Sequence, residues 1–463
     1  MALKHSTPGL TRRSRGLDPT TGAISLAKDG SLFERALIRP DRNNWAPRFG
    51  FAYSPTNAWV IRGAYGIFYN HTNRQGREGL LGFNPPFLVD NTIAASGNNL
   101  TSAAAIFRLQ DGYPSGLLDP TRLSPTVGRR AQDANQRTPY IQQWNLGIQR
   151  ELIKDLLLEV AYVGNKGTKL AGFRNVNQRA IVINATTGAA TAGARPFPTL
   201  GDIQFLENRV LSNYHSLQVR LEKRFSSGLT FLGSYTWGKA LTESPDHLST
   251  SGAGAGFDVG TFREPQNPNN LKAERGLAEF DIQHRFVASY VWELPFGQGR
   301  RYGSDAGALF DALLGGWNIT GIHTFQCGLG LTAVQTGGGV LNLGSERRGR
   351  PNLIGDPKGP ETIDQWFNRA AFSATDPAKG IVFGSSGIGV MRGPGLVNFD
   401  FTLAKNLHLS ETRYFQFRTE FFNAFNRVNL GLPNLNVTDN AFGTIRTTAT
   451  PARIIQFALK FYF

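Results

Sequence analysis

Eleven short segments alternate apolar and polar residues with a period of two, and the connections between them alternate between short and long without exception. The segments lie at roughly 45–53, 58–70, 139–150, 156–168, 213–225, 229–241, 280–294, 316–328, 396–405, 412–424 and 452–463. The short connections hold about 3 to 6 residues, with one of about 21, and the long ones about 27 to 68. A sandwich or a propeller has no reason to gather every long connection at one end. An up-and-down transmembrane barrel does, because its turns are short on one side of the membrane and its loops long on the other.

The segments have the right faces for this. Trp59, Ile61, Tyr65, Ile67 and Tyr69 share a side with Gly63, while Arg62, Ala64 and Gly66 turn away. His215, Leu217, Val219, Leu221 and Phe225 oppose Ser216, Gln218, Arg220, Glu222 and Arg224. Phe415, Phe417, Thr419 and Phe421 oppose Gln416, Arg418 and Glu420. A strand tilted across a bilayer needs ~9–11 residues, about what these segments supply. Trp45, Trp59, Trp237, Trp292 and Trp317 fall towards segment ends, where an indole can sit among headgroups, and only Trp144 lies near a middle. The apolar side should therefore stay accessible, with Ile61, Tyr65, Phe231, Tyr235, Phe417, Phe421, Phe457 and Phe461 pointing outward. Helix should be sparse, limited to a turn or two near Thr362–Arg369 and Asp305–Leu314.

Parity sets an orientation. The last segment, RIIQFALKFYF, ends on Phe463 with Ile455, Phe457, Leu459 and Phe461 on the same side. If that strand descends to the periplasm, every short connection is periplasmic and every long one external. Eleven is nevertheless odd, whereas bacterial single-chain barrels have an even strand count. The expectation is an all-β, antiparallel, open half-barrel. Residues 1–44 would be a largely irregular remnant of an external loop and 45–463 the C-terminal half of a barrel.

Composition agrees where it bears on the question. The 53 glycines and 24 prolines disfavour long helices, and no apolar run approaches the ~18 residues of a membrane helix. The opening MALKHSTPGLTRRSRGL has basic residues without an apolar stretch after them, so it reads as no secretory signal. A formal charge of +15 raises nucleic acid as a partner, but the arginines are scattered singly rather than lined up on a helix or stripe. The densest cluster, RRGR at 347–350, reads as a solvated loop. The single cysteine, Cys327, permits no intrachain disulfide.

Catalytic chemistry finds no support. The seven histidines form no HExxH or close ligand pair, no phosphate loop occurs, and no nucleophile elbow frames a serine. No cofactor and no enzymatic activity are expected. Glu243, Asp246, Asp258, Glu264 and Glu274 gather in the third long connection, where solvated carboxylates are the simpler reading. Gln218, Arg220, Glu222, Gln416, Arg418 and Glu420 are better candidates for contact with something in the lumen, unless they merely pair to hold neighbouring strands.

Five blocks carry a resemblance: NNWAPRFGFAYSP (43–55), NYHSLQVRLEKRFSSGLTFLGSYTWGKAL (213–241), HRFVASYVWELPFG (284–297), RGPGLVNFDFTLAKN (392–406) and RTEFFNAFN (418–426). Together they resemble the C-terminal barrel of Oar-like TonB-dependent outer-membrane transporters, over most of 43–463. The resemblance implies an outer-membrane location and a parent with a signal peptide, a small β domain, a plug and 22 strands, of which eleven is half. It also implies that Leu459, Phe461 and Phe463 form the signal read by the barrel-assembly machinery. Signal sequence, TonB box, plug and first barrel half are not in this sequence, so coupling to TonB falls on none of its residues.

Three functions follow. The first is part of a transporter that binds an unknown ligand at external loops and passes it inward when TonB pulls the plug. The second is a passive porin-like or structural barrel, which odd parity disfavours. The third is a soluble basic β protein that binds glycan or nucleic acid, against which one-sided long loops and strand-end tryptophans both speak.

Overall fold

β-Branched and aromatic residues in alternation favour a pleated surface that is apolar on one side. In the computed structural model the structure describes residues 15–17, 24–26, 28–69, 129–244, 265–305, 307–336, 341, 343–344, 349–410 and 412–463. Eleven long strands form one sheet. They are β1 (Arg48–Thr56), β2 (Trp59–Tyr69), β3 (Tyr140–Ile153), β4 (Leu156–Asn175), β5 (Ile203–Ser226) and β6 (Leu229–Thr242). They continue as β7 (His284–Glu293), β8 (Trp317–Gln326), β9 (Leu396–His408), β10 (Tyr414–Phe422) and β11 (Ile454–Tyr462). Each pairs antiparallel with its sequence neighbours, and β1 and β11 are the two ends of the path. Two short strands join at the side: Arg129–Gln132 runs parallel to the start of β5, and Gly276–Leu277 pairs with the end of β6. The expected meander is what the chain forms.

The register keeps apolar residues together from strand to strand. One row runs Phe231–Tyr290–Gly321–Phe401–Phe421–Ile455 across β6 to β11. The sheet is a single layer over this region, and none of the eight aromatic or aliphatic residues expected to point outward is buried. Ile61, Tyr65, Phe231, Tyr235 and Phe421 are half-buried by strand neighbours, whereas Phe417, Phe457 and Phe461 are exposed. On the same side, rings cover neighbouring glycines. A Cβ on Gly164 would meet the Trp144 indole at 2.5 Å, and one on Gly321 would meet the Tyr290 ring at 2.6 Å.

The turns at the short end are tight. β1 and β2 are joined through Asn57–Ala58, so β1 starts and ends three residues later than the pattern suggests and leaves Trp45 ahead of it. Ser227 and Gly228, with φ of 53° and 77°, make the two-residue hairpin between β5 and β6. Helices are few among the described residues. α1 (Leu32–Ala36) begins at the Ser31–Glu34 capping box, and α2 (Ala308–Leu314) lies in the β7–β8 connection, where a helical turn was expected. The other expected turn, near Thr362–Arg369, is displaced: a single 3₁₀ turn occupies Arg369–Ala371, capped by the Asn368 side chain.

β4 and β5 depart most from expectation, extending the sheet through Asn175 and back from Ile203. The extension is missed by alternation because Ile203, Gln204, Phe205 and Leu206 are all buried, so both faces are covered and the period of two disappears. The largest buried cluster also lies beyond the long sheet, in the connections. Leu331, Ala333, Phe367, Ala371, Phe372 and Met391 from the β8–β9 connection pack with Phe442 from the β10–β11 connection.

Candidate functional site: the polar face and the loop cluster

The polar side of the sheet carries the six residues that alternation singles out. On β5 the Arg220 guanidinium lies 2.7 Å from Glu222 and 4.0 Å from Glu159 of β4, which also accepts from Gln149 of β3 at 2.9 Å. Gln218 donates to Ser216 Oγ at 3.3 Å. On β10, Arg418 pairs with Glu420 at 2.6 Å and Gln416 donates to Asn406 of β9 at 3.0 Å. β6 to β9 stand between these two patches, so the structure does not bring the six residues into one site. Each patch ties neighbouring strands, and half-exposed pairs of this kind contribute at most about 1 kcal/mol. Chemically they offer alternating charge along a wall.

Leu459 and Phe461 are exposed on β11, and Phe463 follows it, 92% exposed and stacked on Phe461 with ring centroids 5.8 Å apart. Phe461 also lies 4.7 Å from the Phe415 ring of β10.

At the long-loop end the connections are tied by charges that local sequence did not reveal. Arg350, at the end of the RRGR cluster, is buried, not solvated. It pairs with buried Glu274 at 2.5 Å and donates to the Ser386 and Ala273 carbonyls. Its partner lies 76 residues away, so no local signal could have found the pair. Glu243, expected to be solvated, accepts from the Leu211 amide at 3.1 Å. Asp246, Asp258 and Glu264 of the same group lie outside the described residues. Asp281 accepts from the Ala240 amide and pairs with Arg392, both at 2.6 Å, stapling the β6–β7 connection to the β8–β9 connection.

Two hollows open among these connections. One, lined by Arg209, Glu243, Glu274 and Arg350, is narrow and sits over the buried ion pair. The other, about 570 Å³, is lined by Arg174, Arg179, Arg195, Asn175, Asn267 and Asn269. Arg195 there pairs with Asp202 at 2.6 Å and Arg174 with Glu207 at 2.8 Å. The alternation of strands gave no sign of either hollow, because the ends of β4 and β5 contribute Arg174, Asn175 and Arg209 while the rest of the lining comes from connections distant in sequence. Ahead of β1, burial opposes the charge on Asp41, yet the Thr138 amide and the Arg137 guanidinium hold its carboxyl below the usual range. No group of His, Cys, Asp or Glu fit to hold a metal occurs among the described residues.

Solved structures of similar shape include the outer membrane transporter YddB from Escherichia coli, at 8% identity and a TM-score of 0.45, covering 90% of this chain and 40% of that one. The siderophore receptor PirA from Acinetobacter baumannii is similar at 12% identity and a TM-score of 0.41, covering 91% and 41%. The FrpB iron transporter from Neisseria meningitidis is similar at 10% identity and a TM-score of 0.39, covering 90% and 39%. The chain thus spans about 40% of the length of the first of these. No curated protein matches it. The outer membrane beta barrel domain family matches residues 7–456, nearly the whole sequence. With its single-layer antiparallel meander and continuous apolar face, the chain belongs to that family and its place is the outer membrane of a Gram-negative cell.

Proposed function

We propose that this chain forms part of the wall of an Oar-like, TonB-dependent receptor that binds a ligand at its long loops and takes it up when TonB pulls on a plug. The observation that carries the reading is the open sheet. β1 and β11 run in the same direction and are the unpaired ends of the path, so antiparallel closure requires an odd number of further strands. A second copy in the same orientation brings edges of the same direction and cannot supply them. Strands of a preceding barrel half can, and the polar face with Gln218, Arg220, Glu222, Gln416, Arg418 and Glu420 then lines the interior against a plug. Residues 1–44 fit an external loop of that barrel, and Leu459, Phe461 and Phe463 fit the signal for the barrel-assembly machinery. Binding and gating, without bond chemistry, are the mechanism.

The competing passive barrel makes a different electrical prediction. The chain purified in detergent and added to a planar bilayer is expected to give no stable conductance steps, because a sheet whose two edges do not meet encloses no channel. Reproducible single-channel steps from the 463-residue chain alone would overturn the proposal in favour of a passive pore.

A further inference from the structure

The β7–β8 connection, Leu294–Gly316, differs from the other short-end turns in carrying a helix, and that helix is fastened to the apolar side of the sheet. Trp317 of β8, Lys405 of β9, Phe417 of β10 and Leu459 of β11 form one cross-strand row on that side. Lys405 is the one cation of the row. Its ammonium is buried, lies 5.7 Å from the Trp317 ring centroid, and donates to the Asp311 carbonyl at 3.1 Å and to the Gly315 carbonyl. The Trp317 indole N–H donates to the Leu313 carbonyl at 2.9 Å. The Trp317 indole therefore satisfies a last-turn carbonyl of α2 that ordinarily lacks a partner, while Lys405 adds a second donor to the Asp311 carbonyl and caps that of Gly315 just past the helix. The Asp311 carboxylate accepts from the Gln298 amide at 2.7 Å and closes the connection on itself.

Held this way, α2 presents Leu309, Phe310, Leu313 and Leu314, two pairs spaced four residues apart, at 75%, 36%, 62% and 49% exposure. A water-facing turn gains nothing from four large apolar side chains. Their position is continuous with the lipid-facing row, and the same end of the sheet carries exposed cations: Arg301, over the Tyr302 ring in the same connection, and Arg413 in the β9–β10 turn. We infer that α2 is a membrane foot, whose leucines enter the acyl region of the periplasmic leaflet while Arg301 and Arg413 meet the phosphates of its phospholipids. The inference rests on the outer-membrane position of the sheet and not on the transport reading.

The test uses the full chain with Cys327→Ser, reconstituted in vesicles of phosphatidylethanolamine and phosphatidylglycerol, with one nitroxide at Leu313→Cys, Gln298→Cys or Phe457→Cys. Power saturation compares access by oxygen with access by a water-soluble nickel chelate. The expected result is an oxygen-to-nickel ratio at 313 several-fold above that at 298 and approaching that at 457. Adding Lys405→Met should lower the ratio at 313 several-fold and leave 457 unchanged. A lipid signature at 457 with a ratio at 313 equal to that at 298 would overturn the foot alone. Nickel access at both 313 and 457 would overturn the membrane face of the sheet and the foot with it.

Discussion

Arg350 and Glu274 form an ion pair with side chains only 6% and 8% exposed, so truncation of either leaves the other charge buried and uncompensated. Arg350→Ala should therefore lower the opening free energy of the loop cluster by about 3 kcal/mol, within the range seen when one partner of a buried pair is lost. Hydrogen exchange at the Ser386 and Gln266 amides would show it, and unchanged protection would show that the pair ties nothing. Glu34 behaves oppositely because its carboxylate sits at the surface and is held by hydrogen bonds at the start of α1. The Ser31 amide, then Lys28, hold its carboxyl at about 2 rather than 4.5. A folded value below the unfolded one gives stability that is complete above about 4.5 and is lost as pH falls towards 2. Amide exchange in α1 should therefore accelerate across that window, and Glu34→Gln should remove the dependence. At this scale the sequence was least legible. RRGR reads as solvated because nothing near it in sequence announces Glu274, and a buried pair across separate connections is a product of tertiary packing.

Elements were read well where one face is buried by lipid and the other is polar, because that asymmetry writes the period of two into the residues. It failed where the environment is symmetric. β5 above Ser212 is covered on both sides, and its apolar run Ile203–Leu206 carries no alternation. Turn chemistry was legible at Ser227–Gly228. Both residues take positive φ, and a Cβ on Gly228 would approach the Glu293 carbonyl oxygen at 2.8 Å. Gly228→Val should cost about 1–2 kcal/mol from the backbone alone and more from the contact, read as a lower urea midpoint in micelles. Gly164→Leu tests the ring-over-glycine contacts. It should displace the Trp144 indole and change its fluorescence while leaving strand content by circular dichroism intact. An unaltered Trp144 signal would show that the ring does not depend on the glycine.

For the whole molecule, the decisive quantity is the direction of the outer strands. Every residue of β1 is exposed and nearly every residue of β11, as expected for two edges awaiting partners. Strand number, alternation and end-to-end parity were all legible in sequence, since each is a one-dimensional property. The grouping of the polar residues was not: Arg220 and Arg418 occupy similar places in similar patterns, yet four strands separate them. Openness can be measured directly by disulfide scanning of the chain in the outer membrane with Cys327→Ser. Cysteines at Gly50, Phe51 or Ala52 would be combined with cysteines at Gln456, Phe457 or Ala458, and the facing pair Thr419→Cys with Phe457→Cys would serve as the positive control. The open sheet predicts efficient crosslinking in the control and no intrachain crosslink for any β1–β11 combination. A consistent crosslink between those edges, stepping in register along both strands, would mean that the eleven strands close on themselves and would contradict the open half-barrel.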